Sequence, residues 1–282
     1  MSEINHFEDE FEGEKGIKIF YQFWIPERPK AILQIVHGFG EHSGRYLNVI
    51  NKLLPLNYGV YANDHRGHGK SSGTRTYVDS FDQYVEDVNT LNKIIRNKHP
   101  DIPIFMLGHS MGSIIAIHYV KKYQDNLKGF ILSGTGAVPS LVKILYNLVK
   151  PSFRVLRFLF PKFRIPTNLT IGDFISRDRE VVKAYNDNPL VEKTITLNLI
   201  YETVDAVANF KKAFSDIKKP LLVQEGSKDT LSAGLRFLKP LLKMKDKTIK
   251  TYDGLHHEVY NELKEDRKLV LKDLSEWLEA HL

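Results

Sequence analysis

The 282-residue sequence contains no cysteine. This excludes disulfides, thiolate metal sites and a cysteine nucleophile, and it fits a reducing, cytoplasmic setting. Also absent is any apolar run long enough to span a membrane, and the segment from Met1 to Glu14 is rich in Glu and Asp, unlike the basic-then-apolar start of a secretory signal. The chain is therefore expected to be soluble. Acidic residues are missing from one long interval: none lies between Asp125 and Asp173, where Lys128, Lys143, Lys150, Arg154, Arg157, Lys162 and Arg164 all fall. The net charge of +6 is thus concentrated locally, and no nucleic-acid partner is expected.

What is present suits one large α/β domain with an insertion. Gly16 to Trp24 mixes alternation with aromatic and β-branched residues and ends at Pro26, so it reads as an early strand and one half of a hairpin. Short apolar runs follow at Ala31 to Val36, Tyr58 to Ala62, Ile104 to Leu107, Phe130 to Leu132 and Leu221 to Val223, with a more alternating one at Thr248 to Tyr252. Helix-period segments separate most of them. Continuous apolar strands are those buried on both faces by helices, which predicts a mostly parallel central sheet flanked by helices. The rhythm breaks between Ala137 and Phe214, giving a core of residues 1–136 and 214–282 and an inserted helical cap over 137–213.

Gly108-His109-Ser110-Met111-Gly112 joins the run Ile104 to Leu107 to the helix-like Ser113 to Ile117. A strand, a sharp turn and a helix with serine at the apex would push the hydroxyl of Ser110 out toward a substrate. A serine needs a base within hydrogen-bonding reach, and the base needs a carboxylate to hold its tautomer. Among the aspartates between Ser110 and the last histidines, Asp229 alone sits just beyond a buried strand. His256 and His257 follow the final strand, and residue chemistry does not choose between them. The N-H of Met111, directly after the serine, is placed to stabilise an oxyanion.

Five ordered blocks carry a resemblance: His37-Gly38-Phe39-Gly40-Glu41-His42-Ser43-Gly44-Arg45-Tyr46, Asp64-His65-Arg66-Gly67-His68-Gly69-Lys70-Ser71, the serine turn, Gly226-Ser227-Lys228-Asp229, and Tyr252-Asp253-Gly254-Leu255-His256-His257-Glu258. Together they resemble the monoglyceride lipase branch of the α/β-hydrolases, from the N-terminal hairpin to the final helix. The resemblance implies an α/β-hydrolase fold and hydrolysis of monoacylglycerols to glycerol and fatty acid through an acyl-enzyme, without a cofactor. It assigns the base to His257, the second oxyanion N-H to Phe39, and contacts near the glycerol end to Glu41, Arg45 and Tyr185. Glu41 and Arg45 read equally as a simple i, i+4 ion pair. A lysophospholipase or broad short-chain esterase is the nearest alternative, and a non-catalytic binding protein on this fold is a more distant one.

His37, His42, Asp64, His65 and His68 invite a metal reading, but their glycine-spaced loops match the hydrolase pattern, and no metal is expected. Within the cap, Leu141, Ile144, Leu145, Leu148 and Val149 share a helical face, and Phe153, Val155, Leu156, Phe158, Leu159 and Phe160 follow among arginines. Apolar residues flanked by cations make an interfacial composition, so the partners expected are a small lipid ester and a transient, peripheral contact with a membrane surface. Core packing of a cap helix would use the same residues. The sequence leaves the oligomeric state open.

Overall fold

All seven apolar or alternating runs become strands of one sheet, which an N-terminal strand joins as an eighth. In the computed structural model, which describes residues 5–136, 151–167, 172–231 and 243–282, the chain begins with β1 (Asn5–Glu12), β2 (Lys18–Ile25), β3 (Ala31–Val36) and β4 (Tyr58–Asn63). It continues through β5 (Ile104–His109) and β6 (Gly129–Ser133), a separate short pair β7 (Arg164–Pro166) and β8 (Thr194–Thr196), and then β9 (Leu221–Gly226) and β10 (Lys247–Tyr252). The main sheet has the order β1-β2-β4-β3-β5-β6-β9-β10. All pairings from β4 through β10 are parallel, whereas β2 runs antiparallel to both β1 and β4.

Strands β3, β4, β5 and β6 are buried along their whole length because helices cover both faces. On one face α2 (Asp82–Lys98) and α3 (Met111–Tyr123) bring Val85, Leu91, Ile115 and Ile117 against Ile32, Val36 and Met106. On the other, α1 (Leu47–Leu53) and the C-terminal helix Lys264–Ala280 bring Ile50, Leu53, Leu274 and Leu278 against Leu33, Ile35 and Leu107. Each such aliphatic side chain contributes about 1.5–3 kcal/mol when removed from water.

The expected hairpin pairs Glu12 with Lys18 and Asn5 with Ile25, so the acidic start of the chain is itself a strand. Phe7 stacks on Phe23 at 5.0 Å and Phe11 tilts against Tyr21 at 5.9 Å, which anchors β1 despite its glutamates.

Between β6 and β9 the chain leaves the sheet, where the sequence predicts helices alone. Residues 151–159, Arg179–Asp187 and Leu197–Ala208 are helical, but β7 and β8 pair between them. Three residues per strand are too few to show a period of two. The last of these helices returns to the main body, with Leu199 and Ala206 packed in the same cluster as Ile114 and Ile117 of α3. The proposed apolar face from Leu141 to Val149 lies outside the described residues, as do Lys143 and Lys150. Among the described residues no helix is long and apolar enough to cross a membrane.

Candidate active site

Strand β5 ends in a turn that the two flanking glycines make sterically possible. A Cβ on Gly108 would meet the Gly112 carbonyl oxygen at 2.5 Å, and one on Gly112 would meet the Val36 carbonyl oxygen at 2.0 Å. Ser110 itself adopts φ 52° and ψ −120°, a left-sided conformation costly for any residue with a side chain. Its N-H is secured to the Ser133 carbonyl at 3.0 Å, and α3 begins at the next residue, Met111. The serine thus stands at the positive end of a helix dipole.

Two other loops at the same sheet edge approach it. After β9, Ser227 and Lys228 donate to the carbonyls of Tyr252 and Leu255, at 2.9 Å each, locking this loop to the one after β10. That pairing brings Nδ1 of His257 to 2.8 Å from Oδ2 of Asp229. Both side chains are buried, and the His257 ring lies 4.8 Å from that of His109. The neighbouring His256 is held differently, its backbone N-H donating to Glu262 Oε1 at 2.8 Å. Of the pair that residue chemistry left open, His257 is the one paired with the carboxylate.

The loop after β3 supplies the third wall. A Cβ on Gly38 would lie 3.0 Å from that of Ser110, so the Gly38-Phe39 peptide passes beside the serine. The Gly38 carbonyl accepts from His37 Nδ1 at 2.7 Å, and the Gly38 N-H donates to Glu41 Oε1 at 2.6 Å. His37 Nε2 accepts the His65 N-H at 2.9 Å, while His65 Nε2 donates to the His37 carbonyl at 2.9 Å. These rings therefore brace backbone. Burial pushes His37 well below the usual imidazole range, His65 down to about 3 and His68 down to about 4, so all three are neutral. Asp64 braces the same region, accepting from the Ser43 N-H and Oγ and from the Lys70 N-H.

A cavity of about 160 Å³ opens over the serine, lined among the described residues by Ser110, His257, Phe39, Glu41, Tyr185 and Glu258, with Gly38, His109, Ile175 and Leu231. Of the residues assigned to the polar end, Glu41 and Tyr185 line this cavity. Arg45 sits behind them. Its guanidinium donates to Glu41 Oε2 at 3.1 Å and to both oxygens of Glu258, at 2.5 and 2.9 Å, with the Tyr185 ring 4.6 Å away. The i, i+4 pair is present, but it is one side of a three-residue network. Burial, and then Glu258, raise the Glu41 carboxyl above the usual range. Burial opposes ionisation of Glu258 as well, but the forked contact with Arg45 outweighs it and holds that carboxyl low.

Glu258, His109 and Ile175 were not singled out from the sequence. Glu258 stands 213 residues from Arg45, and nothing local marks the pairing. The basic interval is also less naked than it reads, since Arg157 pairs with Glu202 and Arg164 with Glu192.

A serine at the apex of the turn after β5, with loops after β9 and β10 closing on it from the same edge of a mostly parallel sheet, defines an α/β-hydrolase. The family model described as serine aminopeptidase, S33, matches residues 27–264. The chain is 36% identical to a monoacylglycerol lipase of Mycolicibacterium smegmatis over 98% of both chains, and 33% identical to the human monoglyceride lipase, covering 93% of this chain and 87% of that one. A thermostable carboxyl esterase from Bacillus coagulans, solved in complex with glycerol, superposes with a TM-score of 0.83 at 28% identity over 99% of each chain. This chain belongs to the monoglyceride lipase family of the α/β-hydrolases.

Proposed function

We propose that this chain is a serine carboxylester hydrolase that cleaves monoacylglycerols to glycerol and free fatty acid. His257, held by Asp229 through Nδ1, takes the Ser110 proton on Nε2 as the serine oxygen attacks the ester carbonyl. The N-H groups of Phe39 and Met111 receive the developing oxyanion. His257 then returns the proton to the departing glycerol, leaving an acyl-serine. Water, deprotonated by the same imidazole, attacks this ester and releases the fatty acid, and the proton returns to Ser110.

The observation that carries the choice of substrate is the charge of the cavity's polar end. Glu41 and Glu258 line it, whereas Arg45 lies behind them with its guanidinium engaged. Hydroxyls of a polyol can donate to such carboxylates; an anionic phosphate would be repelled. The exposed basic residues Arg154 and Lys162 favour the competing lysophospholipase reading. Turnover of a monoacylglycerol and a lysophospholipid of equal chain length separates the two, and a large preference for the lysophospholipid overturns the first. Fluorophosphonate labelling at Ser110 separates both from a non-catalytic binding protein.

In this reading residues 137–213 form a cap over the site. Val155, Phe158, Leu159, Phe160 and Phe163 are exposed on its described part, beside Arg154 and Lys162, and they give it a face suited to the surface of an anionic membrane. The protein would then act in the cytoplasm, reaching its substrate by peripheral contact.

A further inference from the structure

We infer that Arg45 is a positioning residue that ties the oxyanion loop to the loop carrying the catalytic base, and that it does not read the substrate headgroup. The inference rests on the roles proposed above for Ser110, His257 and Phe39.

The connections can be followed atom by atom. Glu258 directly follows His257, and its carboxylate takes both Nη atoms of Arg45 in a fork, at 2.5 and 2.9 Å. Such planar two-point contacts fix orientation as well as distance. Asn261 Nδ2 adds a bond to Glu258 Oε2 at 2.9 Å, and the Glu258 N-H is held by the Ile175 carbonyl at 2.7 Å. From the same guanidinium, Nη1 reaches Glu41 Oε2 at 3.1 Å. The other oxygen of Glu41 accepts from Tyr46 at 2.7 Å and from the Gly38 N-H at 2.6 Å.

The next peptide is the one that matters. Its carbonyl, that of Gly38, is fixed by His37 Nδ1, and in a trans peptide the Phe39 N-H must point the opposite way. Base loop, Arg45 and Glu41 thus form one continuous hydrogen-bonded path to the Gly38 N-H, one residue before the Phe39 donor. The side chains of Arg45, Glu41 and Glu258 are all nearly buried, at 9%, 5% and 6% exposed, and what separates them is the cavity, whose described lining includes Glu41 and Glu258 but not Arg45. A headgroup contact requires access, which this geometry gives to the two carboxylates.

A substrate without glycerol separates the two roles. With p-nitrophenyl butyrate, activity that disappears in Ser110→Ala first establishes the serine reading on its own. Arg45→Ala should then lower kcat by about tenfold to a hundredfold on both p-nitrophenyl butyrate and a monoacylglycerol, with KM within about twofold on each. Arg45→Lys, which keeps the cation and loses the fork, should fall between Arg45→Ala and the native protein, and it carries the test if Arg45→Ala does not fold. Glu258→Gln should reduce kcat on p-nitrophenyl butyrate in the same way, and the double variant with Arg45→Ala should lose little more than the worse single one. A loss confined to the monoacylglycerol and expressed in KM would overturn the inference, as would independent, multiplying losses in the double variant or a native kcat for Arg45→Lys.

Discussion

Nδ1 of His257 and Oδ2 of Asp229 lie 2.8 Å apart, each from a loop that follows a different strand of the same sheet. The carboxylate accepts the Nδ1 proton, which leaves Nε2 as the basic nitrogen. Asp229→Asn keeps the size but offers an N-H in place of an acceptor, so the opposite tautomer is favoured. Its kcat should fall by about 10³ to 10⁴ with little change in KM. Steady-state kinetics on a soluble ester measures this. His257→Ala should remove nearly all labelling of Ser110 by a fluorophosphonate, while His256→Ala keeps most of it, since the structure ties His256 to Glu262 through backbone alone.

Acid should destabilise the fold through its buried imidazoles. Burial pushes His65 and His109 down to about 3 and His68 to about 4, with His37 also well below the usual range, whereas in the unfolded chain these rings titrate near 6.5. Below that pH the unfolded state binds more protons, so their contribution is complete above about pH 6.5 and is lost as pH falls toward 4. Urea unfolding at pH 7.5, 6 and 5 should show stability falling by at least about 1.4 kcal/mol per pH unit at the acid end. Equal stabilities at pH 7.5 and 5 would contradict the neutral, bracing role of these rings.

Gly112→Ala tests the tightness of the serine turn. The added methyl would sit 2.0 Å from the Val36 carbonyl oxygen and 2.4 Å from that of His37, both backbone atoms with no rotamer to yield. A loss of about 3 kcal/mol is expected, readable in the urea midpoint of the purified variant. A midpoint within error of the native protein would mean that strand β3 moves aside more easily than its complete burial implies.

The exposed aromatic face should matter for lipid surfaces and not for soluble esters. Phe158 is 84% exposed, and Phe158→Glu exchanges an apolar insertion of about 1.5–3 kcal/mol for a charge. Sedimentation with phosphatidylserine-containing vesicles should show roughly tenfold weaker binding or more. Hydrolysis of p-nitrophenyl butyrate should be unchanged.

Legibility from the sequence followed burial. Ala31–Val36 was readable end to end because a strand covered on both faces is apolar almost throughout, with Gln34 its one polar residue. Strand β1 was not, because its Phe7 and Phe11 alternate with Glu and Asp and only the partner strand reveals the pattern. Ser110 and Asp229 stood out because each follows a strand, a position that sequence shows, while the same rule narrowed the base only to His256 or His257 and the family resemblance chose between them. The bond between Arg45 and Glu258 did not, because it depends on how two loops fold over one another. For the same reason the pairing of Arg157 with Glu202 and of Arg164 with Glu192 softened a charge surplus that looked unopposed.

The backbone at Ser110, with φ at 52°, sets durability against turnover at a single α-carbon. Glycine would relax there, and Ser110→Gly should outlast the native chain on heating by about 1 kcal/mol of stability while hydrolysing nothing. Screening for heat resistance alone would therefore tend to discard the proposed nucleophile, and any search for sturdier variants of this chain has to score acyl transfer alongside survival.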